Sequence, residues 1–122
     1  MELIHADFAF ANTLRARRRK REVLFDNLVI CFNKVVDKTA KQGKNACAIR
    51  WRDFDIKEDY ATDEEAVGEL LDSILTAGYE VELCYNGAGV YNPCGIVVGW
   101  GDNALEAICE VFDNDDNLYQ GE

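Results

Sequence analysis

The sequence predicts an α+β fold: a small antiparallel sheet of about three strands packed against a long N-terminal helix and two shorter helices. Three observations carry that expectation. Between Phe25 and Ala40 the apolar residues recur at spacings of three and four, the stripe of a helix with one covered face. Between Tyr79 and Tyr85 they recur at every second position, the pattern of a strand with one covered face. Asn86-Gly87-Ala88-Gly89 then supplies residues that tolerate positive φ and so reverse the chain.

The elements follow in order. Met1 to Asn12 is mildly apolar through Leu3, Ile4, Phe8 and Phe10, and reads as a short strand, a docking arm or the lead-in to the first helix. Asp7 and Asn12 are its candidate N-caps, because their side-chain oxygens accept free amides. From Thr13 to Gln42 the pattern is helical. Phe25, Leu28, Val29, Phe32, Val35, Val36 and Ala40 form the stripe, and Gly43 suits the left-handed position that ends it. Ala46 to Arg52 reads as a strand with Cys47, Ile49 and Trp51 on one side. Thr62 and Glu65 have capping-box spacing and open a second helix whose stripe runs from Ala66 to Leu75. Tyr79 to Tyr85 and Ile96 to Trp100 form an antiparallel pair. Asp102 is the expected cap of a third helix carrying Leu105, Ile108, Cys109 and Phe112, with a strand as the alternative over 103–112. Residues 1–112 are therefore one domain, with 1–22 an exposed helix start or an arm, and 113–122 a frayed acidic tail. Helices on one face of so small a sheet leave edges and an open face, which a second copy would cover.

Charge divides the chain. Up to Arg52 there are twelve Lys or Arg against five Asp or Glu, a net of +7; beyond it Lys57 stands against eighteen acids, a net of −17. The densest feature is Arg15, Arg17, Arg18, Arg19, Lys20 and Arg21, six cations in seven positions. Near a helix N-terminus they would oppose the dipole, so the helix should begin well upstream, near Asp7, or the block should meet an anionic partner. No aromatic stands among them for base stacking, and the net −10 repels phosphates in general. Sequence-specific nucleic-acid recognition has no support.

Metal and catalytic chemistry find little to work with. The five cysteines have no paired short spacing and His5 is the only histidine, so no metal or cofactor is expected. The acids fall on outward faces, and Gly87-Ala88-Gly89 lacks the third glycine and following helix of a dinucleotide site. Cys94 is the most loop-like thiol, but reactivity needs a lowered pKa that sequence does not reveal. An enzyme is disfavoured. Tyr85, Asn86, Tyr91 and Asn92 lie in or beside a loop whose aromatics and amides can stack on and hydrogen-bond a planar ligand, or simply serve a long turn. No apolar run approaches the ~20 residues that cross a bilayer, and the first ten residues lack a secretory signal, so a cytoplasmic protein with reduced cysteines is expected.

Ala40-Lys41-Gln42-Gly43-Lys44 ending a long helix, Leu75-Thr76-Ala77-Gly78-Tyr79 ending the next, and Glu80-Val81-Glu82 opening a hairpin that closes near Trp100 make roughly Val23 to Gly101 resemble small accessory proteins of tailed phages. That resemblance rests on helix-end and strand signals, with no motif to transfer residue by residue. It implies a non-enzymatic protein of the bacterial host cytosol that inhibits a host factor or sequesters a small signalling molecule. Two expectations follow. The first is a homo-oligomeric binding protein (a dimer or higher) that occupies a host protein or complex, such as a component of antiviral defence, through its charged surfaces. The alternative is an oligomer that sequesters a nucleotide-like ligand, its phosphate held between the Tyr85–Gly95 loop and arginines of the first helix.

Overall fold

The computed structural model describes residues 2–54, 64–87, 89 and 92–121. Its first element, α1, runs from Ala6 to Lys41, so residues 6–22 are helix and not an arm. The cap is His5, whose Nδ1 accepts the Asp7 amide at 3.4 Å, in place of the expected Asp7 or Asn12. Asp7 instead sits in the first turn, where a carboxylate complements the positive end of the dipole. Lys38 and Lys41 complement the other end, and Gly43, at φ +81°, takes the left-handed conformation that ends the helix.

The chain continues through β1 (Ala46–Arg50), a 3-10 turn (Trp51–Phe54), α2 (Glu64–Thr76), β2 (Glu80–Tyr85), β3 (Gly95–Gly99), α3 (Ala104–Asn114) and β4 (Tyr119–Gln120). The fold is α+β, with four antiparallel-paired strands in the order β1-β3-β2-β4. Both β1 and β2 pair antiparallel with β3, so they run parallel to each other with β3 between them. Thr62, the cap of the expected Thr62–Glu65 capping box, lies outside the described residues.

Four further expectations are corrected. The first strand stops at Arg50, because the Asp53 carboxylate accepts the Arg50 amide at 3.0 Å and tightens the chain into the 3-10 turn; Trp51 still reaches the core. The third helix is capped from Asn103 without a side-chain bond, since the Asn103 Oδ1 accepts from Asn45 Nδ2 at 2.7 Å. Residues 113–122 are not a frayed tail: α3 extends to Asn114, Leu118 is buried, and Tyr119–Gln120 pair with β2.

The fourth correction concerns the layers. Helices cover both faces of the sheet. On one face Ile49, Ile96 and Val98 meet Leu28 and Phe32 of α1 and Leu70 and Ile74 of α2, with Trp51 and Phe54 closing the end. On the other, Cys84 and Val97 meet Ile108 of α3 and Leu118. Every residue of β3 is buried, which is why Ile96-Val97-Val98 is apolar without alternation. The open face that argued for a second copy is closed by α3.

α1 is longer than the sheet it covers. Phe25, Leu28, Cys31, Phe32, Val35 and Val36 seat its C-terminal half in the core. Upstream of Phe25 about nineteen residues, or about 28 Å of helix at 1.5 Å per residue, reach past that contact.

Candidate functional site

The projecting half of α1 has two zones. Leu3 and Ile4, which precede the helix, and Phe8, Phe10 and Leu14 within it make an apolar tip whose residues are between 48% and 97% exposed. Next comes the basic block. At 100° per residue its six cations leave no arc wider than about 100° uncovered, so they make a collar and not a stripe. A helix charged all round cannot lie on an apolar sheet, and this is where α1 leaves the core. The helix starts nine residues before Arg15, so the collar lies beyond the first turn, where the dipole opposes cations most.

Arg18 and Arg21 turn toward α2 and help line a cleft of about 590 Å³ with Glu22, Asp26, Glu69 and Asp72. Phe25 and Ser73 complete it. Four carboxylates against two guanidiniums give this cleft a negative balance, which opposes a phosphate. Arg15, Arg17, Arg19 and Lys20 are exposed and stand outside its lining.

The loop residues sit elsewhere. Tyr85 ends β2 with its ring against Gly121, so close that a side chain there would collide with it. Asn86 and Asn92 are exposed, and Tyr91 lies outside the described residues. None of Tyr85, Asn86 and Asn92 lines the cleft that holds Arg18 and Arg21, so the two groups of candidate residues do not meet in it.

The descending limb of the loop is fixed by Trp51. Its indole Nε1 donates to the Pro93 carbonyl at 2.8 Å and its backbone amide donates to the Cys94 carbonyl at 2.9 Å. Gly95 follows, where a side chain would run into the Ile49 carbonyl and the Arg50 Cα. The Cys94 amide donates to the Cys84 carbonyl at 2.8 Å, and the two sulfurs stand 3.7 Å apart. Burial, and then the neighbouring Cys94, push the Cys84 thiol up to about 12. Arg50 lies close enough to oppose this in part, and its guanidinium meets Asp115 at 3.4 Å.

The thiol pair is invisible in the spacing of the cysteines and comes from the hairpin register. Two positions on either side of the turn, one the penultimate residue of a strand and one just before the next strand, are the signal that finds it. The acidic wall of the α1–α2 cleft was equally hidden, because Glu69 and Asp72 become neighbours of Arg18 and Arg21 only through helix packing.

Among the described residues no group of three or more His, Cys, Asp or Glu side chains is placed to hold a metal ion, and no helix is long and apolar enough to cross a membrane. No family model, curated protein or solved structure matches the chain.

Proposed function

We propose that the chain is a non-enzymatic binding protein that engages another protein through the projecting half of α1. The observation that carries this reading is the exposed apolar tip from Leu3 to Leu14 followed by the exposed cations Arg15, Arg17, Arg19 and Lys20, all outside the core and outside the α1–α2 cleft. Fully covering one large apolar side chain is worth about 1.5–3 kcal/mol; Phe10 and Leu14 share one helix face, about 40° apart, and together offer at most about 3–6 kcal/mol before the costs of association. The surface complementary to such a helix is a groove with an apolar floor and an acidic rim. Floor contacts supply affinity, and the collar supplies orientation and a salt-dependent encounter rate. The resemblance to tailed-phage accessory proteins points to a host protein, such as a component of antiviral defence, and to the bacterial cytosol as the setting. The nucleotide-sequestering alternative draws no support from the carboxylate-rich cleft around Arg18 and Arg21.

The test is affinity capture from bacterial lysate with the wild-type chain, a Phe10→Asp/Leu14→Asp variant and an Arg17→Glu/Arg19→Glu variant. One stoichiometric partner should be retained by the wild type and lost with either variant, and raising the salt should weaken its capture. Capture that is equal across all three proteins would remove the helix from the account.

A further inference from the structure

Cys84 and Cys94 are the one place among the described residues where two thiols stand in contact. Their surroundings hold them there. Cys84 ends no loop of its own; it is buried inside β2, facing Val97, Ile108 and Leu118. Cys94 immediately precedes β3 and is half-buried, so small molecules reach it and not Cys84. Both Cys94 and Gly95 face the single residue Cys84, the first through its amide and the second through the strand register. The Trp51 bonds to Pro93 and Cys94 pin the same limb from the other side. A disulfide has an S–S length of about 2.0 Å, so closing the pair moves the sulfurs together by about 1.7 Å, within reach of side-chain rotation.

We infer that Cys84 and Cys94 are a reversible modification site, at which exchange with a small disulfide such as oxidised glutathione closes an intramolecular disulfide across the loop between β2 and β3. In the first step Cys94 gives its proton to water, and its thiolate attacks one sulfur of the glutathione disulfide. That bond breaks, and the departing glutathione thiolate takes up a proton. Cys94 then carries glutathione. In the second step the Cys84 sulfur attacks the Cys94 sulfur, the bond from Cys94 to glutathione breaks, and the Cys84 proton passes to the departing second glutathione thiolate. Two protein thiols are oxidised and one glutathione disulfide is reduced to two thiols. The order of attack follows from access: the half-buried Cys94 meets the glutathione disulfide, and the buried Cys84 meets only the adduct beside it, attacking slowly because burial favours its protonated form. The product links β2 to the residue that precedes β3.

The experiment treats the full chain with oxidised glutathione, traps the remaining thiols with an alkylating agent, and maps the peptides by mass spectrometry. The wild type should yield a Cys84–Cys94 cross-link, lighter by about 2 Da than the dithiol and reversed by dithiothreitol. Exposed Cys109 serves as the internal reference, expected to hold any glutathione it takes. Cys84→Ser should trap the intermediate, a gain of about 305 Da on Cys94. Should that variant not fold, Cys94→Ser gives the complementary result, with Cys84 left unmodified. Glutathione on Cys109 with Cys84 and Cys94 both still alkylated would overturn the assignment. So would a lasting adduct on Cys94 in the wild type, or modification of Cys84 in the Cys94→Ser variant.

Discussion

Replacing Ile108 by alanine tests whether α3 closes the second face of the sheet. Ile108 is 1% exposed and packs with Cys84, Val97 and Leu118. It also rests on Gly99: a Cβ built there would stand 3.0 Å from Ile108 Cγ1 and 2.7 Å from the Ala104 carbonyl oxygen. The substitution removes three buried carbons, worth about 0.8 kcal/mol each or roughly 2.4 kcal/mol in transfer alone. The cavity left between β3 and α3 raises this to about 3–4 kcal/mol, inside the usual range for such truncations. Leu105 is the control, because it lies on the same helix at 60% exposure, and Leu105→Ala should change stability by no more than about 0.5 kcal/mol. Urea unfolding followed by far-UV circular dichroism measures both, through the midpoint at unchanged slope. Equal losses from the two variants, or a larger one from Leu105→Ala, would refute the placement of α3 on the sheet.

Other outcomes follow from the same packing. Gly95→Ala drives a methyl group into the backbone of Ile49 and Arg50, so it should cost at least about 1–3 kcal/mol in the same urea experiment; a neutral result would contradict the β1–β3 register. Cys84 supplies a pH dependence. Its thiol is raised in the folded chain from 9.0 to about 12, so the folded state holds a proton that the unfolded state releases. That contribution is complete below about pH 9 and is lost as pH rises toward about 12. Unfolding midpoints at about pH 8 and about pH 10 should therefore fall further apart in the wild type than in Cys84→Ala, and identical differences would contradict the burial of this thiol.

The parts legible in the sequence are those fixed by local periodicity. The stripe from Phe25 to Val36, the alternation around Val81 and Leu83, and the stop at Gly43 all hold in the structure, because each reports one element against one covered face. Ends and layers were harder. Arg50 to Phe54 leaves the strand through a carboxylate bond to a backbone amide, which no periodicity announces. Ile96-Val97-Val98 held the clue that both faces were covered, since a run without alternation suits a strand with partners above and below. At the candidate site, the sequence singled out the cationic block but not its geometry. Only a continuous helix from Ala6 turns six cations into a collar with an apolar tip beyond it. Cys94 reads as a loop thiol in the sequence, while its contact with Cys84 depends on pairing between strands.

Amide hydrogen exchange across α1, in the isolated chain and again in the captured complex, tests the central claim most directly. In the isolated chain the amides from Leu28 to Thr39, seated on the sheet, should exchange slowly, and those from Phe8 to Arg21 much faster. In the complex the Phe8–Arg21 amides should become protected while those of α3 stay unchanged. Protection confined to α3, or no change at Phe8–Arg21, would contradict the assignment of recognition to the projecting helix.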